Sequence, residues 1–452
     1  MGESFLSDLL LSVTERGRAL LGRNEEDARA GIDGLIAQCE AVLSGRGEAT
    51  GMAIARDILN RYGALDAEQR LAFFQALANR FGPEPERLNR ALANWKADPS
   101  DEQGAALHFA SEPRRQELFR RLNRAPGGMS ALVAMRADLL SLLDGQPALK
   151  SVDRDFHHLF SSWFNRGFLV LQRIEWSSPA IILDKIIRYE AVHEIHDWDD
   201  LRRRIDPPDR RCYAFFHPAL ENEPLIFVEI ALTREIPAAI DPILAADPES
   251  PDAAKPTTAV FYSISNCQSG LQGVSFGNFL IKQVVDELSN DVPGIDTFAT
   301  LSPVPDFVTW LRRLLVEDEG GLLDAARRTA VERLDRPGWH EDEKIATEMK
   351  SALLPLAAHY FLKAKTGRGE PVDPVARFHL GNGARLERLN WLGDRSDKGL
   401  AQSAGLMVNY RYELKDVERN HEAFANLGEI AAASAVAKHL KALSGAESRV
   451  KA

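Results

Sequence analysis

Residues 266–277 (Asn-Cys-Gln-Ser-Gly-Leu-Gln-Gly-Val-Ser-Phe-Gly) put three glycines into eight positions, between a strand-forming and a helix-forming run. Backbone N–H groups converge at such a turn, and the positive end of the following helix favours an anion, so its chemistry is phosphate binding. The same letters spell Gly273-Val-Ser-Phe-Gly277, a G-x-S-x-G match to the hydrolase nucleophile elbow, with Ser275 as the attacking group. A flexible strand-to-helix turn explains them equally well. His193-Glu-Ile-His196, followed by Asp197, Asp199 and Asp200, has metal-ligating residue types. H-E-x-x-H needs its histidines four apart to share a helix face, and this run is one short, so it reads as a solvated acidic loop. His217-Pro218 reads as a turn histidine. Within 373–383, Pro374 suits a first helical position, and His379 and Asn382 fall three apart on one face before Gly383. A lone histidine there is most simply a packed one.

These residues need elements to hold them. Residues 257–265 are β-branched and aromatic, a buried strand by type. Residues 278–288 set Leu280, Ile281, Val284, Val285 and Leu288 on one helical face. Residues 296–302 form a returning strand stopped by Pro303 and Pro305. Upstream, 1–150 reads as helix throughout, with a capping box at Asp66-Ala-Glu-Gln69 and punctuation at Pro83, Pro85 and Pro99. Gly145-Gln-Pro147 marks a boundary, and 156–168 reads as an aromatic-rich helix. Strands are expected at 211–216, 225–232, 386–392 and 406–412, and helices at 304–315, 342–365 and 422–443. The fold class is α+β and multidomain. An all-α bundle over 1–150 serves packing or oligomerisation, and a mixed sheet with covering helices over 151–452 carries the chemistry.

Composition narrows the partners. The 452 residues carry a net charge of −11 without a strong basic tract, which argues against nucleic acid. Three distant cysteines, Cys39, Cys212 and Cys267, lack metal spacing and fit a reducing compartment. No apolar run approaches a membrane span, and the N-terminus has no signal-peptide pattern, so no membrane partner and a cytoplasmic location are expected.

Two local patterns resemble the GNAT acetyltransferase superfamily. Gln272-x-x-Ser275-x-Gly277 is similar to its Gln/Arg-x-x-Gly-x-Gly/Ala pyrophosphate loop, with Ser275 in place of the first glycine. Ala376-x-x-His379-x-x-x-Gly383 is similar to its Ala…Tyr…Gly-Phe segment, with His379 in place of the tyrosine. Joined in order, Phe261-Tyr-Ser-Ile-Ser, Gly270-Leu-Gln-Gly-Val, Leu301-Ser-Pro-Val-Pro305, Phe378-His-Leu-x-Asn-Gly383 and Gly405-Leu-Met-Val-Asn-Tyr-Arg-Tyr412 resemble the malonyl-CoA decarboxylases over residues 150–415. The resemblance implies a helical N-terminal domain, a GNAT-like catalytic domain, and conversion of malonyl-CoA to acetyl-CoA and CO₂. It implies no metal, biotin or nicotinamide cofactor, and a homo-oligomer such as a tetramer. It assigns catalysis to Ser302 and His379. CoA binding falls on Gln272, Gly273, Val274, Ser275, Phe276, Gly277 and Asn278, with Ser263 nearby, and Asn382 and Tyr412 are supporting residues.

Those residue types suit the reaction. Loss of CO₂ leaves an enolate on the thioester, which needs donors at the oxyanion and a positioned acid. His379 at an ordinary imidazole pKa would supply the proton, and Ser302 would bind the carboxylate or accept a proton. Three alternatives stand beside this one. An acyl-CoA thioesterase would use Ser275, His379 and Asp296, although Ser275 lies ten residues past Ser265 where an elbow should follow its strand at once. An acetyltransferase would share the CoA turn. A helical scaffold would explain only 1–150.

Overall fold

The computed structural model describes residues 31–44, 47–245, 255–274, 280–317 and 321–450. They fall into two units. The first comprises Met1–Val170 with His217–Glu223 and Gln268–Phe276, and the second the remainder.

The first unit is helical. Its periodic segments form Gly31–Leu43, Glu48–Gly63, Ala67–Arg80, Pro85–Ala97, Asp101–Ser111, Arg114–Asn123, Gly128–Ser141 and Lys150–Trp163. The capping box forms as expected, the Asp66 side chain accepting from Gln69 N–H and the Gln69 side chain from Asp66 N–H. Phe119 stacks on Phe156 with ring centroids 4.0 Å apart, in a core shared with Phe73, Phe74 and Phe160. The helix expected at 156–168 lies earlier, because the Asn165 side chain accepts from Gly167 N–H and starts a separate 3-10 turn, Arg166–Phe168.

A short turn, Ser269–Leu271, is packed onto the helix Gly128–Ser141. A Cβ on Gly270 would sit 1.9 Å from the Val133 carbonyl oxygen, so only glycine fits. The buried Arg136 guanidinium donates to the carbonyls of Gly270 (2.8 Å) and Gln272 (2.9 Å) and pairs with Asp153 at 2.9 Å. The bland turn is thus anchored by a buried charge.

The second unit is a mixed eight-stranded sheet. Its strands are β1 (Val170–Ile174), β2 (Arg210–Phe216), β3 (Pro224–Thr233), β4 (Thr258–Asn266), β5 (Thr297–Thr300), β6 (Ser302–Pro303), β7 (Arg385–Asn390) and β8 (Met407–Tyr412). The order is β1-β2-β3-β4-β5-β8-β6, with β7 also on β8; β4 and β5 are parallel. Alternation along β2 sends Cys212, Ala214 and Phe216 into one apolar layer with Ile182, Ile186, Leu201 and Phe227. Ala231, Val260, Tyr262, Leu301 and Met407 form the layer built around Ile240 and Ile243. A helical region followed by a mixed sheet with covering helices is the fold class expected from the sequence.

Two local expectations change here. The helix expected at 422–443 is two, Val417–Leu427 and Ser434–Val450. Gly428, at φ +67°, ends the first, and the following segment joins the sheet edge through Ala433 N–H to the Leu386 carbonyl at 2.8 Å. The acidic run after His193 is not a solvated loop. Asp197 caps the helix Trp198–Ile205, Asp200 pairs with buried Arg204, and Arg204 donates to the His193 carbonyl at 2.7 Å. Burial pushes the His193 imidazole down to about 4.

Candidate active site

The site begins where β4 and β5 part. Their parallel pairing ends at Phe261 opposite Thr300, and Leu301 N–H still reaches the Phe261 carbonyl at 2.9 Å. At that level the β3–β4 register shifts, Glu229 facing Ser263 and Ile230 facing Phe261, so Tyr262 is an extra residue in β4. Such a bulge bends the strand. Phe261 and Tyr262 both line a cavity of about 250 Å³, with Val192, Ile226, Ile264, Asn266, Ser302, Pro303, Pro374, Val375, Phe378 and His379. None of these lining residues is a lysine or an arginine.

Residues two apart on strands build the chemistry, because side chains at that spacing share a face. Thr300 and Ser302 flank Leu301, which faces the core. The Ser302 hydroxyl donates to Thr300 Oγ1 at 2.9 Å, and Thr300 Oγ1 accepts Tyr410 N–H at 3.1 Å. On β8, Tyr410 stacks on the His379 ring at 4.6 Å and 25°, while the Tyr412 hydroxyl lies 2.8 Å from His379 Nδ1. His379 Nε2 lies 3.2 Å from Ser302 Oγ. With the Ser302 proton committed to Thr300, the Nε2–H tautomer satisfies every partner: Tyr412 donates to Nδ1, and Nε2–H donates to Ser302.

His379 and Ser302 are buried, at 3% and 5% exposure. Burial alone pushes the His379 imidazole down to about 3, because no listening anion offsets the loss of water. The ordinary imidazole pKa expected from the sequence is therefore corrected, and the ring is neutral at physiological pH. Burial likewise drives the Tyr410 and Tyr412 phenols up, keeping them protonated as donors.

The structure brings Ser302, His379 and Tyr412 together. Asn382 caps the His379 helix, its amide donating to the Phe378 carbonyl at 2.7 Å. Ser263 is held by Glu190, donating to its carboxylate at 2.8 Å, and does not line the cavity. Gln272, Gly273 and Val274 belong to the first unit; the Gly273 carbonyl lies 3.1 Å from His157 Nε2 and Val274 is buried. Ser275, Phe276, Gly277 and Asn278 lie outside the described residues. Asp296, the third member of the thioesterase alternative, is exposed and accepts from the Thr297 hydroxyl at 2.9 Å, whereas His379 Nδ1 meets Tyr412. Sequence reasoning missed Thr300 and Tyr410, although Thr300-x-Ser302 and Tyr410-x-Tyr412 carry the spacing that a shared strand face requires. Among the described residues no group of three His, Cys, Asp or Glu could hold a metal ion.

A buried serine–imidazole–tyrosine chain opening onto an apolar cleft is an arrangement from which acid–base chemistry can be built. Residues 167–450 match the model of the malonyl-CoA decarboxylase C-terminal domain, and residues 81–164 that of the N-terminal domain. The chain belongs to the malonyl-CoA decarboxylase family. The mitochondrial malonyl-CoA decarboxylase of Anser anser anser is 39% identical over 414 residues, 84% of this chain and 82% of that protein. The crystal structure of malonyl-CoA decarboxylase from Rhodopseudomonas palustris is 60% identical with a TM-score of 0.88, covering 90% of this chain and 99% of that one. That from Agrobacterium vitis is 55% identical with a TM-score of 0.86, over the same shares.

Proposed function

We propose that this enzyme converts malonyl-CoA to acetyl-CoA and CO₂ in the cleft between β4 and β6, with Ser302 and His379 acting as one catalytic unit. The observation that carries this reading is the Tyr412–His379–Ser302–Thr300 chain, buried behind a cavity whose described lining residues include no lysine or arginine. A malonyl carboxylate entering there loses water and meets no counter-ion among those residues, which raises its energy relative to CO₂. When the bond to CO₂ breaks, its electrons pass into the thioester carbonyl, and the enolate carbon then takes a proton from the Ser302–His379 pair. The anionic substrate raises the imidazole pKa as it approaches, so His379 takes up a proton from solvent once substrate is present and returns to neutral when that proton passes to the enolate carbon. Tyr412 holds the ring in one tautomer.

The same reading places the CoA pyrophosphate on the turn from Gln272 to Asn278. It is supported by the direction of the Gln272–Gly273 peptide. Its carbonyl is taken by Arg136, so its N–H points the opposite way across a planar unit. Self-association through the helical region and a cytoplasmic location belong to this reading; three buried cysteines in no disulfide fit a reducing compartment. No helix among the described residues is long and apolar enough to cross a membrane.

Incubating the purified chain with malonyl-CoA tests the activity. Acetyl-CoA and CO₂ are expected in equal amounts, without added metal and in the presence of EDTA or avidin. Malonate and free CoA as products would replace this reading with the thioesterase.

A further inference from the structure

His379 rides on an eight-residue helix, Pro374–Gly381, that also supplies Pro374, Val375 and Phe378 to the cavity wall. A helix this short has little stability of its own, so its anchors decide where the imidazole sits. Its N-terminal anchor is Asp373, 1% exposed. One carboxylate oxygen accepts Ala376 N–H at 2.7 Å; the other accepts the Tyr360 hydroxyl at 3.3 Å. Tyr360 is fully buried on the long helix Glu343–Leu362 and packed between Phe307 (5.4 Å) and Trp310 (5.1 Å), so it cannot yield. Asp373 therefore does more than close a helix end, because it ties that end to a fixed point in the core.

We propose that Asp373, clamped by Tyr360, is the positioning residue that holds His379 against Ser302. The inference rests on the decarboxylase reading of that pair. Asp373 never touches the reacting atoms; it sets the direction of the helix that carries them.

The clamp titrates in a useful range. Burial pushes the Asp373 carboxyl up to about 6, with nearby Asp306 raising it further, while Ala376 N–H, the Tyr360 hydroxyl and Arg377 pull it back. Tyr360 comes from the long helix, Asp306 from the turn before helix Phe307–Glu317, Arg377 from its own helix, and the phenol of Tyr410 faces it from β8. Because the folded pKa is raised, the carboxyl contributes stability at low pH that is lost as pH rises toward about 6. Positioning runs the opposite way, since only the ionised form makes charge-assisted bonds to both donors. Without substrate, His379, near 3, gives no limb of its own in this range, so its ring signals report the Asp373 titration alone.

The test uses the full chain with malonyl-CoA between pH 5 and 9. Wild-type kcat should fall on the acid side with a midpoint near the Asp373 value of about 6. Asp373→Ala should lower kcat by roughly 10- to 100-fold with a smaller change in KM, the scale of a misplacement of about 1 Å at a reacting group. Asp373→Asn, which keeps the cap to Ala376 N–H but carries no charge, should hold kcat near the wild-type acid-side level at every pH, above that of Asp373→Ala, and so abolish the acid limb. Tyr360→Phe should move the limb to higher pH, because it removes a donor that favours the carboxylate. The imidazole ¹⁵N signals of His379, followed without substrate, should shift with the same midpoint in wild type and stay flat in Asp373→Asn. A wild-type protein that leaves malonyl-CoA intact would sink the decarboxylase reading, while the imidazole signals still judge the clamp. An acid limb unchanged in Asp373→Asn, or imidazole signals that titrate identically in both proteins, would overturn the inference even if Asp373→Ala failed to fold.

Discussion

The proposed reactive pair, Ser302 and His379, is defined by what surrounds it. Ser302 donates to Thr300, not into bulk water, and His379 meets a phenol at Nδ1 where a carboxylate would create an ion pair. A neutral imidazole beside a hydroxyl suits a reaction whose charge arrives and leaves with the substrate. His379→Asn and Ser302→Ala should each lower kcat by about 10²–10⁴-fold, the range of general acid–base catalysis, with a smaller effect on KM. The double variant should be little worse than either single, because groups acting as one unit are not additive. A four-enzyme kinetic cycle checks this, and independent, multiplying effects would separate the two residues. Thr300→Val keeps the shape but leaves the Ser302 proton uncommitted. A kcat drop of roughly one order of magnitude is expected there, from a lost hydrogen bond in a buried site. The two catalytic candidates were readable from ordered motifs, but their pKa was not. No letter in 376–383 tells that His379 will be almost fully buried against Tyr410.

Among the elements, the bulge at Tyr262 and the turn at Gly270 are two local departures from regular structure. A bulge leaves no mark in sequence, since Phe-Tyr-Ser-Ile-Ser reads as plain strand; only the pairing of β3 with β4 exposes the extra residue. The strands themselves were legible because β-branched and aromatic residues cluster between turn residues, and β2, β3, β4, β7 and β8 fall close to their expected spans. The helix Trp198–Ile205 was missed because its acidic residues look solvated until Arg204 is seen to neutralise Asp200 from within. Gly428 alone divided what composition made one long helix. At Gly270 the consequence is testable. Gly270→Ala would push a Cβ into the Val133 carbonyl, and backbone cannot move aside as a flexible side chain does. A loss of about 1–3 kcal/mol is expected, the usual penalty for overpacking, seen as a lower thermal midpoint. An unchanged midpoint would show that the turn is not packed against the helix in solution.

At the scale of the whole molecule, the helical region has apolar surface to spare. The paired helices Pro85–Ala97 and Asp101–Ser111 bury little, and leave Trp95 and Phe109 at 41% and 62% exposure. A homo-oligomer assembled through this region is expected. Light scattering behind size exclusion should find the full chain larger than its monomer mass of 50.1 kDa, and Trp95→Glu with Phe109→Glu should reduce it. A monomeric wild type with full activity would remove oligomerisation from the account. The resemblance reached this scale mainly as an expectation, since assembly depends on which faces stay uncovered and periodicity alone does not distinguish those.

The first unit is discontinuous: the chain leaves it after Val170 and returns at His217–Glu223 and Gln268–Phe276. During synthesis, β1 to β4 must therefore emerge before the last piece of the helical unit exists. At the usual ribosomal pace the wait is on the order of 5–20 seconds, with the Val133 and Arg136 surface still waiting for its turn. No single cut or crossover in the coding sequence between residues 170 and 268 can then separate the two units cleanly.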